Sequence, residues 1–284
     1  MTDGALRQAP VDLEHVREIE LRLLLEAIYL RYHYDFRNYA IASLKRRMRS
    51  AMQRLQCASI GQLQERILHH PTLFAALMDY LTVQVSDMFR DPAYFRALRE
   101  QVVPILRTYP SVRIWVAGCS TGEEAYSLAI LMREEGLLER IQIYATDINA
   151  SALRTADAGI YDVERMRAFT ENHRASGGRG SLSEHYTAAY GKARLDPRLK
   201  RHIVFSDHSL ATDSVFSEVH LISCRNVLIY FDRTLKDRAI GLFRDALCRN
   251  GFVGLGAKES LQFTAAEHAF QEFARGERVY RKIG

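Results

Sequence analysis

The chain has 284 residues, 48% of them hydrophobic and 26% charged, with a formal net charge of +5 at pH 7 and no compositional bias. It is long enough for one large or two modest domains with a packed core. No run of about 18 apolar residues offers a membrane span, the first residues lack a charged-then-apolar leader, and Cys57, Cys119, Cys224 and Cys248 have neither metal-ligand nor disulfide-framework spacing. A cytoplasmic protein is expected, without metal or membrane insertion.

From Val11 to Leu81 the pattern is helical, without a convincing strand and with Pro71 as a helix start. Residues 31–54 carry seven basic side chains, Arg31, Arg37, Lys45, Arg46, Arg47, Arg49 and Arg54, against one acidic, Asp35. Arg46 and Arg49 share one helical stripe, Arg47 and Arg54 another. A merely solvated face usually mixes signs. An acidic partner therefore stands beside the solvated-face reading.

After Pro110 the texture changes to strands alternating with helices. Apolar runs at 112–117, 141–145, 202–205, 219–223 and 252–256 imply a mostly parallel sheet with helices on both faces, and ligands in such sheets bind beyond the strands' carboxyl ends. Gly118, Asp147, Asp207 to Leu210, Arg225 and Asn226 fall at those ends. The first strand breaks into Gly118-Cys-Ser-Thr-Gly122 and opens a helix with Glu123 and Glu124. Ser120 and Glu123 stand where a dinucleotide fingerprint needs glycines, and two carboxylates would repel a pyrophosphate and attract a cation. Asp147 ends the next strand, at the spacing of a ribose-binding acid. The site suits a nucleoside carrying positive charge, which describes S-adenosylmethionine. Between 171 and 201 the pattern lapses into Ser176-Gly-Gly-Arg-Gly-Ser181, a linker, followed by a short hairpin through Tyr186–Tyr190 and Ala193–Leu195.

Four motifs in order then resemble the chemotaxis receptor methyltransferases, the CheR family. They are Met88-Phe-Arg-Asp91, Ala117-Gly-Cys-Ser-Thr-Gly-Glu-Glu-Ala-Tyr-Ser127, Ala145-Thr-Asp-Ile-Asn149 and Cys224-Arg-Asn-Val-Leu-Ile-Tyr-Phe-Asp232. The resemblance implies an all-α N-terminal domain (1–85), a Rossmann-like α/β class I methyltransferase domain (86–284) and an inserted small antiparallel β subdomain (172–200). It also implies methyl transfer from S-adenosylmethionine to glutamate carboxylates of chemoreceptors, leaving S-adenosylhomocysteine. Arg90 and Tyr230 match the family's catalytic positions. Gln84, Ser86, Arg90, Gly118, Glu124, Asp147, Ser209, Leu210, Arg225 and Asn226 match its cofactor contacts. Arg46, Arg47 and Arg49 would face the receptor's acidic helical bundle.

The chain departs from the family at Gln84 and Ser209, where asparagine is usual, and at Gly256-Ala-Lys-Glu-Ser260, for which no catalytic role is expected. Three other readings compete. Gly118-Cys-Ser-Thr-Gly122 has the G-x-S-x-G form of a hydrolase elbow, with Ser120 as nucleophile and Asp213 and His268 as partners, but no oxyanion-loop motif precedes it. The basic helix could suggest a nucleic-acid acceptor, yet no Asn-Pro-Pro-aromatic segment follows Ser223, and none is expected to bind. A non-catalytic cofactor sensor is the third. The short turn Tyr190-Gly-Lys-Ala-Arg194 leaves little room for a peptide, so methylation independent of a receptor C-terminal tether is expected.

Overall fold

A computed structural model describes residues 13–283. The expected helical start at Val11 lies outside them. The chain divides into two compact units, one running through Leu81 and the other from Thr82. That junction precedes the expected one at 85 because Gln84 already belongs to the second unit, accepting the Ser120 hydroxyl at 2.7 Å.

The first unit consists of α1 (Leu13–Tyr32), α2 (Ile41–Arg54), α3 (Ile60–His69) and α4 (Pro71–Leu81). Leu21, Leu24, Leu25 and Ile28 form one buried stripe on α1. Ser59 caps α3 by accepting the Gln62 N–H at 3.0 Å. Pro71 opens α4, where its missing N–H costs nothing. The basic segment does not behave as one surface. Leu44, Arg47, Met48 and Ala51 follow helical spacing on the buried face of α2, and the Arg47 guanidinium donates to the Leu81 carbonyl. Lys45 pairs with Glu18, and Arg37 with Asp35 and Glu26. Arg46, Arg49 and Arg54 stay exposed.

The second unit opens with α5 (Pro92–Ala97), which runs through a π-helical turn at Leu98–Val102 into α6 (Val103–Leu106). Strands β1 (Val112–Ala117) and β2 (Ile141–Asp147) flank α7 (Glu123–Glu134); α8 (Ala150–Ala158), β3 (Ile160–Asp162), α9 (Met166–Ala175), β4 (Tyr186–Ala189), β5 (Lys192–Leu195) and α10 (Pro197–Lys200) follow. The chain then runs through β6 (Ile203–Asp207), β7 (Val219–Cys224), α11 (Arg233–Ala246), β8 (Leu247–Leu255), β9 (Phe270–Ala274) and β10 (Val279–Lys282). The main sheet has seven strands in the order β6-β2-β1-β7-β8-β10-β9. The first five are parallel to their neighbours, and β10 runs antiparallel to β8 and β9. The order reverses at β1 and β7, so the carboxyl ends of those two strands open the crevice.

The smaller sheet, β3-β5-β4, is antiparallel. The expected hairpin is present and turns through Tyr190 and Gly191, at φ of 50° and 74°. Its third strand, Ile160–Asp162, precedes α9 and therefore the expected start at 172; three residues are too few to show alternation. The final two strands, β9 and β10, were likewise not foreseen. All four cysteines are buried free thiols, and among the described residues no helix is long and apolar enough to cross a membrane.

An ionic cluster closes the far end of α7. Glu134 accepts from His173 at 2.7 Å and from Arg99 at 2.7 Å, with His185 at 3.6 Å, while Arg99 also holds Glu135 at 2.8 Å. Burial alone would raise the Glu134 pKa, but contacts from His173, His185 and Arg99 outweigh it and hold the carboxyl well below the usual glutamate range. A depressed folded-state pKa adds stability above the unfolded value that is lost as pH falls below it. Glu134→Gln should therefore cost about 3 kcal/mol near pH 7. In acid, denaturant titrations of the variant should show a flatter decline than wild type; parallel declines would contradict this account.

Candidate cofactor and catalytic site

The site is built on loops leaving the carboxyl ends of β1, β2, β6 and β7 and on the segment before α5, and several of these residues are held in costly backbone shapes. Phe89, Asp91, Ser120 and Asn226 have φ of 52°, 54°, 51° and 60°, left-handed values that cost non-glycine residues about 1–3 kcal/mol each. Gly118 is required by space as well as conformation: at φ 75°, an added Cβ would lie 2.4 Å from Val227.

Asp147 ends β2 with both oxygens turned to backbone. Oδ2 accepts the Ser120 N–H at 2.8 Å and Oδ1 accepts the Asn149 N–H at 2.9 Å. Burial raises its pKa, with those N–H groups opposing. Asp207 lies opposite it in the β2–β6 register, and burial, then Asp213 and Asp147, push its pKa upward too. This end of the crevice is acidic.

The two carboxylates opening α7 part company. Glu123 is fully buried against Arg165 at 2.8 Å and the Thr121 hydroxyl at 2.7 Å, away from the cation-attracting role expected of the pair. Glu124 accepts from Ser223 Oγ at 2.6 Å and from Arg225 at 3.1 Å. Arg225 reaches Asp91 at 2.6 Å with its other terminal nitrogen and lies 4.2 Å from the centre of the Tyr94 ring. Its side chain is 1% exposed. Arg225 is thus a strut beneath the crevice.

The remaining expected residues cluster around this frame. Arg90 is half-buried between the left-handed Phe89 and Asp91 and donates to the Val85 carbonyl at 3.3 Å. Gln84 accepts from Ser120 and donates to the Thr82 hydroxyl at 2.9 Å, while the Ser86 carbonyl accepts from Arg165. On the β6 side, the Ser209 N–H donates to Asp213 at 2.9 Å and Leu210 is buried. Asn226 and half-buried Tyr230 belong to the loop after β7. The Ser120 hydroxyl serves Gln84, and Asp213 serves Ser209, so the hydrolase arrangement is not assembled.

The sequence reading missed Glu259. It is 4% exposed and accepts N–H groups from Gly256 at 2.6 Å, Asn226 at 2.8 Å and Ile229 at 3.2 Å, fixing the loop that carries Asn226 and Tyr230. Only its place in Gly256-Ala-Lys-Glu-Ser260 could have hinted at this. The single group of potential metal ligands among the described residues is Glu134, His173 and His185, at the opposite end of α7 from the crevice.

A sheet of this order with an acidic crevice at its topological switch point is a Rossmann-like α/β fold, and an all-α unit precedes it in the chain. Residues 84–276 match the family model described as CheR methyltransferase, SAM binding domain, and residues 19–82 match CheR methyltransferase, all-alpha domain. The chain belongs to the CheR methyltransferase family and is an S-adenosylmethionine-dependent methyltransferase. It is 56% identical to the Putative methyltransferase Cher3 of Pseudomonas putida, over 95% of this chain and 98% of that one. It is 31% identical to the Chemotaxis protein methyltransferase of Listeria monocytogenes (80% and 84% covered) and 29% identical to Chemotaxis protein methyltransferase 1 of Vibrio cholerae (80% and 82%). The site's chemistry fits the cofactor: Asp147 spends its carboxylate on two backbone N–H groups and retains acceptor capacity for hydroxyls, and the surrounding acids favour a cationic ligand.

The strut role of Arg225 has a measurable consequence. Arg225→Ala should strand the partly buried Glu124 carboxylate and lower the unfolding free energy by about 3 kcal/mol without any cofactor present. An unchanged denaturation midpoint would mean that Arg225 serves only a ligand.

Proposed function

We propose that this enzyme methylates glutamate side-chain carboxylates of chemoreceptors, giving methyl esters and S-adenosylhomocysteine. The observation that carries the reading is the half-buried Arg90, set between two strained residues at the rim of an acidic cofactor crevice. The names of the Listeria and Vibrio relatives support the same pathway. S-adenosylmethionine supplies a methyl group activated by the positive charge on its sulfur.

A glutamate acceptor, with a reference pKa of about 4.3, is already ionised at pH 7, so no general base is needed. The protein's work is alignment and exclusion of water. Arg90 offers a planar fork to the acceptor carboxylate, and the Tyr230 hydroxyl orients the same group. Asp147 receives the ribose hydroxyls. Gly118, Glu124, Asn226, Gln84, Ser86, Ser209 and Leu210 shape the rest of the cofactor site, with Arg225 acting through Glu124. Arg46 and Arg49 meet the acidic helical bundle of the receptor, and Arg47 supports their helix from inside. The two-residue turn after β4 supports methylation without a C-terminal receptor tether.

The deciding experiment is incubation with methyl-labelled S-adenosylmethionine and receptor-containing membranes, followed by base-labile methanol release, which reports carboxyl esters. Label without methanol release would overturn the glutamate acceptor, and cofactor binding without any transfer would favour a sensor. Arg90→Ala should lower turnover at least tenfold while changing cofactor affinity little, the mark of an interaction made mainly in the transition state. Equal losses in both would make Arg90 an ordinary cofactor ligand.

Asp147 also sets a pH dependence. The ribose hydroxyls need the ionised carboxylate as acceptor, and its pKa is raised, so affinity should begin to fall at a higher pH than an ordinary aspartate would dictate. Calorimetric titrations at falling pH should show that decline in wild type and its absence in Asp147→Asn. The variant should already bind about 1–3 kcal/mol more weakly at pH 7.

A further inference from the structure

Next to Tyr230 lies a groove that none of these roles uses. It encloses about 470 Å³ and is lined by the loop after β7, the first turns of α11 and the segment 258–264. Arg233, Lys236 and Lys258 line it, and no salt bridge engages any of the three among the described residues. Two carboxylates also line it, but Glu259 is consumed by backbone N–H groups, and Asp237 accepts the Ala265 N–H at 3.0 Å. Those bonds engage the two carboxylates without cancelling their charge, so three cations against two acids leave the lining net positive by one, with no acid among the described residues paired to the cations.

Helix stability does not account for these charges. Arg233 and Lys236 lie one turn apart at the start of α11, where the helix dipole disfavours cations, and the acid at that end, the N-cap Asp232, is bonded to the Leu235 N–H. Apolar surface lies among the charges: Ile229 is 38% exposed and Phe263 84%. Phe263 adopts φ 63° with its N–H bonded to Glu267 at 2.8 Å, so a strained backbone presents the ring to solvent. The groove shares a part with the site, since the carboxylate in its wall, Glu259, also fixes the N–H groups of Asn226 and Ile229.

We infer that this groove seats the acidic, glutamate-rich segment flanking the methylated residue. Arg233, Lys236 and Lys258 meet its carboxylates, and Ile229 and Phe263 pack against its aliphatic stems. This deepens the proposed glutamate acceptor and rests on that reading. The groove would select acceptors with acids beside the target, in addition to whatever Arg46 and Arg49 contribute.

The test uses the full chain and a fluorescent, glutamate-rich peptide of about 20 residues read by anisotropy. Lys236→Glu with Lys258→Glu should weaken peptide binding at least tenfold at low salt, with the gap narrowing as salt screens the charges. Affinity for S-adenosylmethionine and the thermal midpoint should match wild type. The milder pair Lys236→Gln with Lys258→Gln should fall between, and Arg249→Glu, on β8, should bind the peptide as wild type does. Undiminished peptide binding by the double reversal overturns the proposal, as does an equal loss in Arg249→Glu or tighter groove-dependent binding of a single-stranded DNA of equal charge. If wild type binds the peptide through these lysines yet forms no methyl ester on it or on receptors, the groove stands and the glutamate-methylation reading fails.

Discussion

The buried guanidinium of Arg225 holds Glu124 on α7 and Asp91 beside Arg90, and it lies against Tyr94 on α5. Both ion pairs are short, and one end of the chain of contacts continues from Glu124 through Ser223 to the Tyr94 hydroxyl. Arg225 and Glu124 are largely withdrawn from water while Asp91 is exposed, so the Glu124 pair is the costlier to break. The strand end, the helix start and the Phe89–Pro92 turn therefore move as one body. Arg90, as part of that turn, inherits its position from that body.

The same device recurs around the crevice. Asp147 fixes the Ser120 and Asn149 amides, and Glu259 fixes those of Asn226, Ile229 and Gly256. Each carboxylate replaces regular backbone pairing where the chain leaves the sheet, which lets loops hold left-handed residues that would otherwise relax. Binding can then proceed on a preorganised frame, with little ordering cost at the moment of association. Acidity is a by-product that suits a cationic cofactor.

Charge is distributed with a different logic on the outside. Arg47 shows that a basic run in the sequence need not be one surface, because helical spacing took it inward beside Leu44 and Met48 while Arg46 and Arg49 stayed in solvent. Arg233, Lys236 and Lys258 are scattered in sequence and gather only at the groove. Local charge density therefore overstated one patch and was silent about the other.

Much of the site was legible because it is local. The strand, turn and helix from Val112 to Glu134, the acid at Asp147 and the run from Cys224 to Asp232 each lie within one short segment, and their glycines, apolar runs and acids follow from backbone geometry alone. What only the tertiary structure decided is which carboxylate meets which donor. Glu123 and Glu124 are neighbours in sequence, yet helical rotation of about 100° per residue sends one to Arg165 and the other to Arg225 and Ser223. The third strand of the small sheet and the clamp by Glu259 were hidden because each depends on contacts between segments far apart in the chain, which residue spacing does not encode, whereas the inward turn of Arg47 follows the helical spacing it shares with Leu44 and Met48.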